Sequence, residues 1–269
     1  DCGTFRALEL TEVIVIGGGI AGCTTAYFLA HDGIEVTLIE QFEIGTLASG
    51  SNAGSLHAQI QPEPFLEFGQ SWARRFLPAL AFYKASIAIW QDIEAELDED
   101  LEVAIHGGIV VAATDEEMRL LEAKAALDRA GGLDIELLTG SELRDRASYV
   151  APAIVGGALC PTEGSASPLA AARAFADAAR ACGATILERQ QVTAIRRTRS
   201  GYDVDGGDTT LSASRVVNAA GNEAARVAAL VGGRMDLESF PIQLSVTEPL
   251  APLIGHLVYS AGSRLTLKQ

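Results

Sequence analysis

A run of β-branched residues that ends in a glycine-rich turn constrains this chain more than any other feature. The sequence VIVI at residues 13–16 is followed by GGGIAG at residues 17–22 and then by a further apolar run. The first run is typical of a strand buried on both faces, and the second predicts the helix that packs back on it. In such a turn Gly17 permits the tight bend, Gly19 lets the backbone approach a pyrophosphate, and Gly22 lets helix and strand pack closely. The segment therefore predicts a dinucleotide site.

An acidic residue ends the next predicted strand. Glu40 follows VTLI at residues 36–39, and it lies about 20 residues beyond the last glycine of the turn, the spacing expected of an acid that accepts hydrogen bonds from a ribose diol. Its charge would also repel a 2′-phosphate. Because strand, glycines, helix, second strand and acid occur in this order, the pattern favours dinucleotide binding over an ordinary glycine-rich loop. The pattern alone leaves FAD and NAD as alternatives.

Composition disfavours two classes of partner. The chain has 269 residues and a formal net charge of −15, and its length fits two domains at about 150 residues per domain. So acidic a chain disfavours nucleic acid and anionic membranes as partners, because both reward clusters of Lys and Arg. The longest apolar stretch, residues 77–90, is interrupted by Pro78 and Lys84 and is too short for a spanning helix. We therefore expect no transmembrane segment.

The cysteines do not form a metal-binding pattern. Cys2, Cys23, Cys160 and Cys182 are widely spaced, with no CxxC and no nearby histidine pair, which argues against a zinc site or an iron–sulfur cluster. We interpret them as reduced thiols of a cytoplasmic protein. Residues 1–10 contain no apolar core of a signal peptide, so we do not expect one.

Predicted helices and strands alternate over most of the chain. A helix at residues 115–130 begins after the N-cap Thr114, and a longer one at residues 71–97 is interrupted at Pro78. Short strands, the first three of them in a meander, are predicted at residues 192–197, 202–204, 210–212, 215–221, 242–247 and 257–268. Alternation of this kind is typical of an α/β protein.

The same pattern predicts a discontinuous domain. The strand–helix–strand start gives way to a long mixed segment near residue 81 and resumes near residue 151. We therefore expect a nucleotide-binding domain made of residues 1–80 and 151–235. A mixed α+β domain, made of residues 81–150 and 236–269, would be inserted into it and would hold the substrate.

Three separated segments resemble the D-amino-acid oxidase superfamily of FAD-dependent oxidoreductases. They are the glycine turn with Glu40, the sequence ASGSNAGSLH at residues 48–57, and VNAAG at residues 217–221. Within the superfamily, the chain is most similar to the B subunits of opine (octopine and nopaline) oxidases and to the glycine-oxidising subunit of hydrogen cyanide synthase, over residues 49–57, 89–91 and 164–169. The resemblance implies an α/β fold with a Rossmann-like FAD-binding domain of the D-amino-acid oxidase type, interrupted by a mixed α+β substrate domain. It decides the cofactor in favour of FAD.

The resemblance also assigns residues to the cofactor. The glycine turn and Glu40 would hold the pyrophosphate and the adenosine ribose, and the backbone of Val192 would lie near the adenine. Ser51 stands where relatives with covalently attached flavin carry a histidine, so we expect non-covalent FAD. The residues expected to contact FAD are Gly17, Gly19, Ile20, Ala21, Gly22, Glu40, Gln41, Ser49, Gly50, Asn52, Ala53, Gly54, Ser55, Leu56, Val192, Ala219, Ala220 and Gly221.

Three further residues are candidates for catalysis. His57, at the end of the loop expected to follow the flavin, would touch flavin or substrate, with a packed or orienting histidine as the alternative. Tyr259 and Arg264 lie on a strand that in this family approaches the substrate cavity, and an arginine is the usual partner of a carboxylate. Both also fit an exposed strand face.

The resemblance implies oxidation of the C–N bond of an opine or another N-substituted or D-amino acid. Hydride would pass from Cα to flavin N5, and water would hydrolyse the imine to a 2-oxo acid and an amine. Electrons would leave through partner subunits of a hetero-oligomer that carry an iron–sulfur cluster or a further flavin, and such partners could hold this cytoplasmic protein at the inner membrane. The alternatives are an oxygen-using glycine, sarcosine or D-amino acid oxidase, a non-catalytic FAD-holding relay subunit, and an NAD dehydrogenase.

The last part of the expected site is not present in this sequence. Family members continue beyond the position of Gln269, through a glycine-rich strand that covers the isoalloxazine and supplies residues for the substrate carboxylate. The resemblance therefore implies a substrate domain that is incomplete at its C-terminal end. The sequence leaves open the substrate, its stereochemistry and the electron acceptor.

Overall fold

A computed structural model provides the fold and describes residues 9–207 and 209–269. The predictions for Cys2 and for the first eight residues lie outside the described residues. The chain divides into two compact units. The first unit comprises Asp1–Asn52 and Pro168–Leu244, and the second comprises Ala53–Ser167 and Ser245–Gln269.

The described residues form the following elements. The strands are β1 (Glu9–Ile16), β2 (Val36–Ile39), β3 (Ser55–Leu56), β4 (Gly108–Ala112), β5 (Glu136–Thr139), β6 (Gly156–Cys160), β7 (Gly164–Ser165), β8 (Thr185–Leu187), β9 (Val192–Arg197), β10 (Tyr202–Gly206), β11 (Thr209–Asn218), β12 (Leu257–Ser260) and β13 (Thr266–Leu267). The α-helices are α1 (Ile20–His31), α2 (Pro62–Leu97), α3 (Asp115–Ala130), α4 (Gly140–Arg146), α5 (Pro168–Ala181) and α6 (Ala224–Ala229).

A six-stranded sheet forms the first unit, in the order β8-β2-β1-β11-β10-β9. The neighbours from β8 to β11 are parallel, and β10 and β9 extend the sheet in antiparallel fashion. The register aligns Ile16 of β1 with Ile39 of β2 and Asn218 of β11, so the carboxyl ends of three parallel strands meet at one edge. In open α/β sheets this edge is where ligands bind, and the glycine turn follows directly from β1.

The core of the first unit confirms the predicted α/β fold. Ile14 and Val15 of β1 are fully buried, as expected for a strand covered on both faces. Helix α1 packs against α5, with the rings of Tyr27 and Phe175 at 5.7 Å between centroids. The strand and the helix on either side of the turn are therefore both anchored by apolar burial.

The second unit is built on a five-stranded sheet in the order β13-β12-β4-β6-β5, with β3 and β7 as a separate pair. Helices α2 and α3 pack together and share one core with the sheet, in which Leu80, Leu121 and Val110 are fully buried. Helix α3 begins where the sequence predicts, because the side chain of Thr114 accepts a hydrogen bond from the Glu117 amide.

The boundaries between the units differ from the predicted domain boundaries. Residues 53–80 and 151–167 were expected in the nucleotide domain, but they belong to the second unit, whereas residues 236–244 were expected in the substrate domain and belong to the first unit. Pairing explains the difference: β3 pairs with β7, β6 is a central strand of the second sheet, and α2 packs on α3. These segments carry no compositional signal of a boundary, so only their tertiary partners reveal it.

Helix α2 is interrupted at a different residue from the one predicted. Pro78 lies inside the helix, whereas Gly69 has a left-handed φ of 70° and breaks the regular backbone. A proline removes one backbone hydrogen bond and can be accommodated within a helix, but a residue with positive φ cannot continue the helical path. The predicted interruption at Pro78 was therefore wrong.

Three strand predictions also need correction. Residues 257–268 were expected as one strand that carries Tyr259 and Arg264, but β12 and β13 are two short antiparallel strands, and Arg264 lies in the segment between them. Residues 210–212 and 215–221 were expected as separate strands, yet residues 209–218 form the single strand β11, which pairs with β1, and residues 219–221 lie outside it. Residues 242–247 are not a strand; they carry exposed apolar side chains, with Ile242 at 89 % and Val246 at 85 % exposure. Among the described residues, no helix has the length and apolarity that crossing a membrane requires.

Candidate functional site

The turn between β1 and α1 accepts only glycine at its critical positions. Gly17 has φ of 111°, and a Cβ there would lie 2.4 Å from the Ala219 carbonyl oxygen. A Cβ on Gly22 would lie 1.8 Å from the carbonyl oxygen of Gly17. Both contacts are with backbone atoms, so no side-chain rotation could relieve them. At this turn the backbone of α1 and the backbone just after β11 therefore pack directly against the turn, and no space remains for a side chain at Gly17 or Gly22.

Glu40 is fixed beside this turn by two short hydrogen bonds. Its Oε2 accepts from the Gly18 amide at 2.6 Å and its Oε1 accepts from the Phe42 amide at 2.7 Å. The side chain is 8 % exposed. Each carboxylate oxygen has a further lone pair, so the group can accept additional hydrogen bonds while its position is held.

The N-terminus of α1 is capped by a residue from a distant loop. Gly19, the N-cap, has no side chain, and Ser49 Oγ accepts from the Ile20 amide at 2.9 Å instead. The first turn of α1 carries no acidic residue. The amide groups of this turn and the partial positive charge of the helix end favour a bound anion.

The loop that supplies Ser49 is stabilised by its own contacts. Asn52 Nδ2 donates to the carbonyl oxygens of Ala48 and Ser49 at 2.9 Å and 2.8 Å. A Cβ on Gly50 would lie 2.1 Å from the Gly45 carbonyl oxygen. Gly50 and Asn52 therefore shape the loop.

A cavity of about 340 Å³ opens at the carboxyl edge of the first sheet. The residues around it come from the glycine turn, from the ends of β2 and β11, from the loop after β2 and from the segment before β9. Its lining consists of Ile16, Gly17, Gly18, Gly19, Ile20, Ala21, Ile39, Glu40, Gln41, Glu43, Gly45, Thr46, Leu47, Ala48, Ser49, Gln190, Val192, Ala219, Ala220, Gly221, Asn222, Glu223 and Arg226.

Most of the expected cofactor residues of the first unit line this cavity. They are Gly17, Gly19, Ile20, Ala21, Glu40, Gln41, Ser49, Val192, Ala219, Ala220 and Gly221. Gly22 lies behind the turn, where it permits the approach of α1 to Gly17. Gly50 and Asn52 do not line the cavity, and Ala53, Gly54, Ser55 and Leu56 belong to the second unit.

The cavity also includes residues that sequence reasoning missed. Arg226 donates to the Val192 carbonyl oxygen at 3.0 Å and to Glu223 at 2.7 Å. Gln190 Oε1 is buried and is the one buried side-chain polar atom without a hydrogen-bond partner in the described part of the chain. Neither residue belongs to a motif, so no signal in the sequence marks them.

These features fit FAD. The amide groups at the turn suit a pyrophosphate, Glu40 suits a ribose diol, and the unpaired acceptor Gln190 Oε1 suits a donor on the bound molecule, since buried polar atoms are rarely left without a partner. Of the three glutamates in the lining, Glu40 is held by two amides, and Glu43 and Glu223 are paired with Arg189 and Arg226. The site is therefore suited to a dinucleotide that carries an anionic centre and a free diol.

His57 and Tyr259 contact each other in the second unit. His57 Nδ1 and the Tyr259 hydroxyl are 2.6 Å apart, and the tyrosine is 4 % exposed. Burial lowers the pKa of His57, against the opposing charge of Glu163. Burial, the charge of Glu163 and a hydrogen bond to Glu163 raise the pKa of Tyr259. The tyrosine therefore remains protonated at neutral pH, and the histidine favours its neutral form.

Arg264 has a different environment from these two. Its side chain is 64 % exposed, and its Nε donates to Glu63 at 2.7 Å. The structure therefore brings together two of the three catalytic candidates, and it pairs the third with a surface carboxylate.

The described cysteines are free thiols. Cys23 and Cys160 are buried and Cys182 is exposed. Burial raises the pKa of Cys23 to about 12 and that of Cys160 to about 11. Within the described residues no group of His, Cys, Asp and Glu side chains could hold a metal ion.

The fold and the site together define a dinucleotide-binding protein with an open α/β nucleotide unit. The family model described as FAD dependent oxidoreductase (DAO) matches residues 12–263. The chain therefore belongs to this family, whose cofactor is FAD, and the resemblance seen in the sequence is confirmed.

Known relatives span more sequence than this chain does. Glycine oxidase of Geobacillus kaustophilus (strain HTA426) is 30 % identical over 269 residues, which cover 95 % of this chain and 69 % of that protein. The beta subunit of sarcosine oxidase from Rhizobium meliloti (strain 1021) is 28 % identical, and the match covers 93 % of this chain and 59 % of that protein. The B subunit of opine oxidase from Rhizobium meliloti is 26 % identical, with 94 % and 67 % covered.

A solved structure gives the same result for the fold. The crystal structure of the glycine oxidase from Geobacillus kaustophilus superposes with a TM-score of 0.72 at 27 % sequence identity, covering 94 % of this chain and 66 % of that chain. L-proline dehydrogenase from P. horikoshii, at 24 % identity, reaches a TM-score of 0.73. The chain thus spans about two thirds of both solved structures, and it shares their fold over that length.

Proposed function

We propose that this chain is part of an FAD-dependent oxidoreductase that oxidises the C–N bond of an opine or another N-substituted or D-amino acid. The observation that carries the proposal is the dinucleotide cradle, in which glycine is required at Gly17 and Gly22 and the carboxylate of Glu40 is held in place. Family membership supports FAD as its occupant. Relatives named for the oxidation of glycine, sarcosine and opines support an amine beside a carboxylate as the substrate class.

The first unit would be the FAD-binding domain in this proposal. FAD, when bound, supplies the hydride acceptor of the reaction. The amides at the N-terminus of α1 would face the pyrophosphate, Glu40 would accept hydrogen bonds from the ribose diol, and Val192 would lie near the adenine. Because Ser51 stands where relatives with covalently attached flavin carry a histidine, we propose that FAD is held non-covalently.

The second unit would be the substrate domain. Its residues would have to bind a carboxylate and favour a neutral amine, because an ammonium has no lone pair to assist the departure of hydride. His57 and Tyr259 are the side chains that we propose for the amine. We propose that Arg264 binds the substrate carboxylate, for which it would have to release Glu63.

We further propose that the chain works in a hetero-oligomer in the cytoplasm. Two of the relatives, those of sarcosine oxidase and opine oxidase, are named as subunits of larger enzymes. Since the described residues hold no cluster of metal ligands, electrons would leave through a partner protein that carries an iron–sulfur cluster or a second flavin. Such a partner could also attach the assembly to the inner membrane.

A second candidate is an oxidase that uses oxygen without partners. The 30 % identity to a protein named glycine oxidase favours it. The two candidates share the cofactor and the C–N bond that is oxidised, and they differ in how the reduced flavin is reoxidised. The rate of reoxidation by air after substrate reduction therefore separates them.

The test is an anaerobic absorption titration of the purified protein with FAD. Octopine, nopaline, glycine, D-proline and sarcosine are added in turn, and the visible absorption of oxidised flavin is followed. Bleaching by one of them supports the proposal. A flavin that binds but is bleached by no amine supports the FAD-holding relay subunit instead, and a chain that does not bind FAD refutes both.

A further inference from the structure

Within the described part of the chain, Arg226 is the only cationic side chain that lines the cavity of the first unit. Its guanidinium group is held at two nitrogens: Nη1 donates to the Val192 carbonyl oxygen at 3.0 Å, and Nε donates to Glu223 Oε2 at 2.7 Å. The N–H bonds of a guanidinium lie in the plane of the group. Both contacts are therefore made along its edge, and neither uses one of its two flat faces.

The elements that hold the guanidinium are themselves anchored. Asn218, at the end of β11, donates to the Ala224 carbonyl oxygen at 2.8 Å and so fixes the first residue of α6. Glu223 precedes Arg226 by three residues, a spacing at which two side chains of a helical turn meet. Val192 is the first residue of β9 and is buried. The plane of the guanidinium is thus set by a strand on one side and by a helical segment on the other.

The ion pair with Glu223 determines what the guanidinium can bind. The pair as a whole carries no net charge, so it offers little attraction to the pyrophosphate of a dinucleotide. The anion has a separate place at the N-terminus of α1, where the first turn contains no acidic residue. The part of Arg226 that remains for a ligand is its flat and weakly hydrated face, which suits a planar ring.

The lining offers no other side chain for such a contact. Among its described residues there is no aromatic ring, and most of the side chains are aliphatic, small or acidic. Bases that proteins bind stack on aromatic rings or on the planes of arginine side chains. The guanidinium is therefore the group of this lining that can stack on a base, and its hydrogen bond to Val192 places it beside the residue near which we propose the adenine.

We infer that Arg226 binds the adenine of FAD, with one face of its guanidinium stacked on the base while Glu223 and the Val192 carbonyl hold its edge. The inference rests on the proposed function, because it takes FAD as the occupant of the cavity. It adds a side chain that recognises the base to the glycine turn and Glu40, which serve the pyrophosphate and the ribose. No covalent bond forms or breaks in this contact.

The test compares two ligands that share a sugar and two phosphates. ADP carries the adenine, and ribose 5-diphosphate carries a hydroxyl group in its place. Both are titrated as competitors of FAD into the full chain, prepared as apoprotein. A cation–π contact at a partly desolvated site corresponds to about 10-fold in affinity, so Arg226→Met should weaken ADP by about that factor and leave ribose 5-diphosphate unchanged. Equal weakening of both ligands, or an unchanged affinity for ADP, overturns the inference.

A second variant separates the plane of the side chain from its charge. Arg226→Lys keeps the positive charge but has no flat face, so it should bind FAD and ADP about as weakly as Arg226→Met does. Recovery of the wild-type affinity by the lysine would show that the residue acts as a countercharge to the phosphates, and it would overturn the inference. Should Arg226→Met not fold, as judged by thermal unfolding, the lysine variant decides the question with the same pair of ligands.

The matched control is Arg197→Met. This change removes an exposed arginine of β9 that lies outside the lining, and it should leave the dissociation constants of FAD and ADP unchanged. The inference and the proposed function fail in different ways. A wild-type chain that binds neither FAD nor ADP refutes the proposed function, whereas a wild-type chain and an Arg226→Met variant that bind both equally well leave the FAD site in place and refute the stack alone.

Discussion

Glu40→Gln is the substitution that tests the cofactor site most directly. The carboxylate receives hydrogen bonds from the Gly18 and Phe42 amides, one on each oxygen. A glutamine offers one oxygen and one NH₂ group, so one of the two amides would face a donor. A hydrogen bond to a charged group contributes about 1.5–3 kcal/mol, and the variant should lose about that much stability before any cofactor is added.

The same substitution should weaken FAD binding further. The proposed hydrogen bonds from the ribose diol would reach an uncharged group instead of a carboxylate. A loss of about 1.4–2.8 kcal/mol in binding corresponds to a dissociation constant about 10- to 100-fold higher. The lower value of this loss in binding free energy corresponds to an acceptor that has lost only its charge. The upper value corresponds to the loss of one complete charge-assisted hydrogen bond.

The assay is a titration of apoprotein with FAD, followed by the quenching of flavin fluorescence. Glu35→Gln is the matched control, because it removes the same charge from an exposed position shortly before β2. Equal dissociation constants for the two variants would refute the placement of the ribose at Glu40. Thermal unfolding of the apoproteins separates the loss of stability from the loss of affinity.

Three further predictions concern the packing around the two sites. Gly22→Ala places a Cβ 1.8 Å from the Gly17 carbonyl oxygen, so it should cost about 1–3 kcal/mol of stability and abolish FAD binding in the same titration. The control Gly255→Ala should be neutral, because nothing lies within 4 Å of the added Cβ. Lys124→Met removes the ammonium that pairs with the buried Asp128 carboxylate and with Gln59 Oε1, and denaturant unfolding should show a loss of about 3–5 kcal/mol in the free energy of unfolding. The control Lys84→Met removes one hydrogen bond from an exposed lysine to the Gly132 carbonyl and should cost no more than about 1 kcal/mol. Equal losses in the two variants would contradict the burial argument. Iodoacetamide at neutral pH should modify Cys182 but neither Cys23 nor Cys160, because burial raises the pKa of both buried thiols. Peptide mass mapping identifies the modified residues. Modification of Cys23 in the folded protein would contradict this prediction and would show that α1 opens.

The part of the site that could be predicted from sequence is the part that depends on local backbone geometry. Gly17 and Gly22 are required by contacts within the turn and its two neighbouring elements, so their spacing is visible in the sequence. Glu40 is likewise fixed by its position at the end of β2, which runs parallel to β1. These residues occur at a recognisable spacing because the strand, the turn and the helix of such a unit have nearly fixed lengths.

The part that could not be predicted depends on partners distant in sequence. Gln190 and Arg226 reach the cavity because β9 and α6 lie at the same edge of the first sheet, and no motif marks them. Glu163 was missed for the same reason, since its partners at residues 58 and 59 are more than 100 residues away along the chain. A buried glutamate in a glycine-rich stretch resembles a turn residue until its hydrogen bonds are known.

The net charge of −15 does not conflict with the binding of an anionic dinucleotide, because the local field at the turn differs from the average over the surface. The first turn of α1 has no acidic residue, and the partial positive charge of a helix N-terminus favours an anion. The carboxylate of Glu40 is engaged by two amides, and charges more than about 8 Å away are screened at physiological ionic strength. Global charge therefore disfavours polyanionic surfaces as partners, while the local field at the end of α1 still favours a small bound anion.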